Sequence, residues 1–253
     1  MKKALAAIVP ALLILSALAS GILLFGRQSE YAACEKELSA ARKVMDAAGL
    51  LETFPETEDS ARHGGAQNDR VQNEGAVTGP ASDLPAELFG RLLIPQIGLD
   101  LPVMRPPKEE PEKYLTRDFT GASSVYGSVY FDPSADLGTN CLVLYGHHMK
   151  NGAMFGKLGS LAGGDAVTLL SRNGNAKDAG RYEVAAMLCI TPEEDEVVNA
   201  LALSSERDAQ ILSAKAERTG ALYRELSAGK KHLLLVTCEY KRPEERLIVL
   251  CEE

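Results

Sequence analysis

A mainly β domain, closed into a barrel of eight short strands, is the fold that the C-terminal two-thirds of this 253-residue sequence predicts. Two patterns carry the expectation. Ile97, Leu99, Leu101 and Val103 alternate strictly with other residues, as do Tyr182, Val184, Ala186, Leu188 and Ile190, the period of a strand with one buried face. Further short apolar runs are separated by turn residues, and many short strands protect their edges by closing on themselves.

From the N-terminus, Ala4 to Phe25 is an uncharged apolar run of 22 residues. At about 1.5 Å per residue a helix of that length spans roughly 33 Å, the thickness of a bilayer core. Lys2 and Lys3 precede it, so the basic-residue bias places the N-terminus in the cytoplasm and the rest outside. Ala17-Leu18-Ala19 also resembles a signal-peptide cleavage site, although the apolar run continues beyond it through Phe25. The first segment, 1–27, is therefore expected to be a membrane anchor. Over 28–54, Tyr31, Cys34, Leu38, Ala41, Met45 and Ala48 recur every three or four residues, predicting an amphipathic helix. Residues 55–83 lack Leu, Ile, Met and aromatics and read as a flexible linker that cannot bury a core.

The β domain should occupy 84–253. Strands are expected at Arg91–Ile94, Ile97–Met104, Gly127–Phe131, Cys141–Tyr145, Ala166–Leu170, Tyr182–Ile190, His232–Thr237 and Arg246–Cys251. One long helix interrupts them before the seventh strand, from Ser204 to about Leu226, with Ser205 and Asp208 at capping-box spacing. Gly220 stands where it would break.

A net charge of -8 and the absence of a basic patch argue against nucleic acid as a partner. The five cysteines form no CxxC pair and lie at no zinc-finger spacing, so neither a metal nor any other cofactor is expected. Being odd in number, they leave at least one thiol unpaired. Cys141, Cys189 and Cys251 sit inside apolar runs and read as small buried residues.

Three strings place a reactive residue at the edge of an apolar strand: Leu144-Tyr145-Gly146-His147-His148-Met149, Leu235-Val236-Thr237-Cys238-Glu239, and Glu245-Arg246-Leu247-Ile248-Val249. If the last two strands form a hairpin, Cys238 and Arg246 can meet across the ladder. A thiolate attacks a carbonyl, an imidazole protonates a leaving amine, and a guanidinium stabilises the tetrahedral oxyanion. Taken as independent sites, with pKa values near 8.5 and 6.5, only on the order of 1% of molecules would hold a thiolate and an imidazolium together at neutral pH. Close pairing raises that fraction. Each residue alone also has a plainer reading: a buried thiol, a turn histidine, and an arginine paired on the surface with Glu244 or Glu245.

The strings resemble the sortases, membrane-anchored cysteine transpeptidases of Gram-positive bacteria, in which Thr-Cys ends one strand, Arg opens the next and His lies well upstream. The segment Tyr145 to Met149, followed by Asn151-Gly152-Ala153-Met154-Phe155-Gly156, is most similar to class B members, as is the helix before the Cys strand. The resemblance implies a sortase-type barrel over 84–253 with Cys238 as nucleophile, His147 as general acid and Arg246 as oxyanion-stabilising residue. It also implies that Thr237, Glu239 and His148 contact substrate. Val236 departs from the usual class B string and is closer to classes A and C. The lid of pilus-building class C members has no counterpart between Pro55 and Asp83.

The implied activity is cleavage of a C-terminal sorting motif after Thr, through a thioester, with transfer of the surface protein to a cell-wall precursor amine. Alternatives are a protease that uses water, a pilin-polymerising sortase, and a wall-facing binding module in which Cys238 is inert.

Overall fold

The computed structural model describes residues 31–47, 49–50, 85–132, 139–172, 179–239 and 244–253. The expected anchor and linker, 1–27 and 55–83, lie outside them. Among the described residues, no helix is long and apolar enough to cross a membrane. The chain divides into two compact units, 1–40 and 41–253. Of the first, 31–40 are described, and they begin helix α1 (31–47).

The second unit is a closed barrel. Strands β1 (Leu88–Ile94), β2 (Leu99–Met104), β3 (Val129–Phe131), β4 (Cys141–Tyr145), β5 (Ala166–Ser171), β6 (Gly180–Ile190), β7 (Ala221–Leu222), β8 (His232–Cys238) and β9 (Arg246–Glu252) follow in chain order. Their order in the sheet is β5-β1-β2-β3-β4-β8-β9-β6-β7, and β5 also pairs with β6. Eight strands thus close on themselves as predicted, and two-residue β7 is an extra strand laid against β6. The β2–β3 and β4–β8 pairs are parallel; the others are antiparallel.

Helices α2 (Asp195–Ala200) and α3 (Glu206–Thr219) cover one outer stretch of the barrel. Val197, Ala200, Leu203, Ala209, Leu212 and Ala216 pack with Leu188, Ile190, Leu234, Val236, Ile248 and Leu250. This explains why β8 reads as an unbroken apolar run: with one face inside the barrel and the other under helices, both alternating sets are buried. The capping box of α3 forms as anticipated. Asp208 N–H donates to Ser205 Oγ at 3.3 Å, and Ser205 N–H donates to the Asp208 carboxylate at 3.0 Å.

Helix α3 stops at Thr219, short of the anticipated Leu226. Gly220 runs so close to β6 that a Cβ there would lie 2.1 Å from the Met187 carbonyl, and β7 follows at once. The second predicted strand begins at Leu99 rather than Ile97, because Pro95–Ile97 form a 3-10 turn closed by Gly98 at φ 65°. Helix α2 was not anticipated; with only Val197 and Ala200 buried, six residues are too few to show a helical period.

The second unit includes the end of α1. Ala41, Met45 and Leu50 are buried with Leu88, Met104, Tyr114, Phe119 and Tyr130. Arg91 fixes this contact: its guanidinium donates to both Asp100 oxygens (2.7 and 2.8 Å), to Asp46 (2.6 Å) and to the Leu50 carbonyl (2.9 Å). The buried charge is satisfied by bidentate geometry, and these partners hold the guanidinium firmly protonated.

Candidate active site

Three adjacent strands deliver three predicted residues to one edge of the barrel. In the parallel β4–β8 ladder the last registered pair is Tyr145 with Val236. His147 and Cys238 each lie two residues beyond that pair, the spacing that returns a strand to the same face. Antiparallel β9 starts at the same edge and pairs Arg246 with Cys238. Cys238 therefore stands on the middle strand between a histidine and an arginine, with neighbouring strands typically about 4.8 Å apart.

The Cys238–Arg246 pair is of the close kind. Glu239 N–H donates to the Glu245 carbonyl at 3.1 Å, which makes 239 and 245 the hydrogen-bonded pair and Cys238 with Arg246 the adjacent non-hydrogen-bonded one. In such pairs the Cα atoms approach to about 4.5 Å and the side chains lie side by side. Cys238 is exposed, and Arg246 is half-buried with Nη1 donating to the Glu245 carbonyl at 3.2 Å.

His147 is placed by its surroundings. A Cβ on Gly146 would lie 2.8 Å from the Phe155 ring, so only glycine lets the strand end run against Phe155. Phe155 N–H donates to the His147 carbonyl at 2.9 Å, and buried Met154, in the left-handed region at φ 49°, bridges to His148. The His147 ring has Nε2 at 2.7 Å from the Leu115 carbonyl. A carbonyl only accepts, so Nε2 carries the hydrogen in this contact.

The edge opens into a cavity of about 800 Å³. Cys238, His147, Arg246 and Thr237 line it; His148 and Glu239 do not. Its floor is the outer face of the sheet, contributed by Cys141, Val143 and Tyr145 of β4, Val236 of β8, Ile248 of β9 and Ile190 of β6. Val198 and Leu201 form a wall where α2 ends. Cys141 and Cys189, expected to be buried, are only partly covered, and the Cys141 thiol donates to the Leu201 carbonyl at 3.2 Å. Burial pushes that thiol up to about 12, leaving it protonated and unreactive. Cys251 is fully buried as anticipated, and none of the five cysteines, all among the described residues, is in a disulfide.

Two tyrosines at the cavity were missed, because they read as ordinary strand residues. Burial, reinforced by Glu112 and Asp132, raises the Tyr130 phenol to about 12. Burial and Asp132 also raise Tyr145, whose hydroxyl donates to Asp132 at 3.1 Å. Both phenols stay neutral hydrogen-bond donors. The only signal for Tyr145 was its place in the alternation Cys141, Val143, Tyr145, opposite in phase to buried Leu142 and Leu144. Among the described residues, no cluster of His, Cys, Asp and Glu could hold a metal ion.

The sortase domain model matches residues 92–253. No curated protein matches the chain. Solved structures share the fold at low identity. Sortase B from B. anthracis, in complex with AAEK1, is 19% identical, with a TM-score of 0.58 over 88% of this chain and 97% of that one. Clostridium perfringens sortase B is 19% identical, with a TM-score of 0.54 over 66% of this chain and 93% of that one. A Streptococcus pyogenes class B sortase involved in pilus biogenesis is 18% identical, with a TM-score of 0.55 over 67% and 93%. With the domain model spanning most of the chain and these neighbours being class B sortases, the chain belongs to the sortase family of cysteine transpeptidases and is most similar to class B.

Proposed function

We propose that this protein is a membrane-anchored class B sortase whose catalytic residues are Cys238, His147 and Arg246. The Cys238 thiolate attacks the carbonyl carbon of Thr in a C-terminal sorting motif of the form Pro-x-Thr-Gly or Asn-Pro-x-Thr-Asn. Arg246 stabilises the oxyanion, and His147 protonates the departing amine as the thioester forms. An amine of the cell-wall precursor then attacks the thioester carbonyl, His147 takes its proton, and the C–S bond breaks to release the Cys238 thiolate as the amide to the surface protein forms. The apolar floor from Cys141 to Tyr145 suits an extended peptide, and Thr237 adjoins the nucleophile in the same cavity. The uncharged run from Ala4 to Phe25 supports a single-pass anchor with the catalytic unit outside the cell. One observation carries the reading: His147, Cys238 and Arg246 occupy three neighbouring strand ends around one cavity.

Intact-protein mass after mixing with a sorting-motif peptide tests it. The expected result is an acyl adduct in the wild type and none in Cys238→Ala. Adding an amine should convert the adduct to an amide product faster than water hydrolyses it. An adduct that persists in Cys238→Ala would overturn the assignment, and hydrolysis unaffected by amine would favour the protease.

A further inference from the structure

His147 and Cys238 sit beyond the last registered pair of β4 and β8, where the regular ladder ends. Three other bonds replace it. Gly146 N–H donates to the Val236 carbonyl at 3.2 Å, Thr237 Oγ1 donates to the Gly146 carbonyl at 2.7 Å, and His148 Nδ1 lies 2.8 Å from the Cys238 carbonyl. The first two act one residue before the reactive pair. Of the three, the last engages the Cys238 carbonyl, on the peptide whose N–H donates across to Glu245 of β9.

We propose that His148 is a positioning residue that ties the loop carrying His147 to the backbone of Cys238. This role rests on the catalytic reading of Cys238 and His147 and goes beyond it, since resemblance assigned His148 to substrate contact. The Cys238 carbonyl only accepts, so His148 Nδ1 carries the hydrogen, in the neutral ring and in the imidazolium alike. The tie therefore needs no particular charge on His148. Holding this carbonyl restrains the ψ angle of Cys238 and the separation of the strand ends, and with it the path from thiol to imidazole. His148 itself is absent from the cavity lining, which fits support from behind rather than contact with substrate. Proximity makes the effect on rate large: a displacement of about 1 Å can cost on the order of 10²-fold.

Comparing His148→Ala with His148→Asn tests the proposal, because the Asn amide nitrogen is as many bonds from Cβ as Nδ1 is and can donate in its place. With saturating sorting-motif peptide, His148→Ala should form the Cys238 thioester at least about tenfold more slowly with KM little changed. His148→Asn should recover most of the rate. In protein labelled with ¹³C at cysteine carbonyls, the Cys238 resonance should move in the Ala variant and stay near its wild-type position in the Asn variant. A wild-type thioester rate in His148→Ala, a change confined to KM, or an Asn variant as slow as Ala would overturn the role. If the wild type acylates with no peptide, the transpeptidase reading fails by itself. The carbonyl resonance then still decides whether the tie exists, and an unmoved resonance in the Ala variant rejects it.

Discussion

Cys238 and Arg246 face each other as the terminal, non-hydrogen-bonded pair of the β8–β9 ladder. Backbone register thereby sets the arginine beside the nucleophile, and its Nη1 also donates to the Glu245 carbonyl at 3.2 Å. This has a direct consequence for substitution. Arg246→Lys keeps the charge and the register but removes the planar, two-pronged donor. Thioester formation is expected to fall about 10²- to 10³-fold, with the fold and the iodoacetamide reactivity of Cys238 retained. Wild-type acylation rates in this variant would return Arg246 to a surface ion-pair role.

Thr237 is buried, and its hydroxyl donates to the Gly146 carbonyl. Thr237→Val keeps the shape and leaves that carbonyl without this donor, a loss of about 1 to 3 kcal/mol in folding stability. Thr237→Ser should retain most of the stability. Denaturant titration of the pair checks this, and equal midpoints for Val and Ser would show that the hydroxyl acts elsewhere.

Truncation should separate the two halves of the N-terminal region. A chain beginning at residue 31 keeps Met45, Leu50 and the Asp46 partner of Arg91, whereas one beginning at Leu84 uncovers Leu88 and Met104 and leaves Arg91 with Asp100. The longer form is expected to melt several degrees higher, since about 1 kcal/mol corresponds to roughly 2 to 4 °C in a domain of this size. Equal melting temperatures would mean that residues 41–50 add nothing to the barrel.

Acid should destabilise the far end of β8. His232 and the Glu252 side chain are fully buried there, 3.4 Å apart, with Lys230 donating to Glu252. Burial holds the His232 imidazole below its ordinary value, overriding the carboxylate. Burial would raise Glu252, but bonds from Lys230 and the Ser227 amide win and hold it below the usual range. Both native groups thus bind protons less readily than in the unfolded chain. The stability they contribute is present at neutral pH and lost as pH falls, from about 6.5 for His232 and below about 4.5 for Glu252. Melting temperature should drop between pH 7.5 and 5.5, and His232→Gln should flatten that drop. An unchanged slope in the variant would show that His232 titrates normally.

What the sequence by itself determined is what depends on neighbours along the chain. Strict alternation marked β2 and β6, Ser205 and Asp208 set the start of α3, and the short span between Cys238 and Arg246 allowed their cross-strand pairing to be anticipated. Short-range periods and turns are written locally. Tertiary structure alone decided that β4 lies parallel to β8, a pairing across about ninety residues that no local pattern encodes, and this brings His147 beside Cys238. It also decided which face of β4 became the cavity floor. That face reads as ordinary strand until α2, too short to leave a period, stops short of covering it. Likewise His148 looks like a neighbour of the acid in sequence, and only the converging strand ends turn its ring toward the nucleophile's carbonyl.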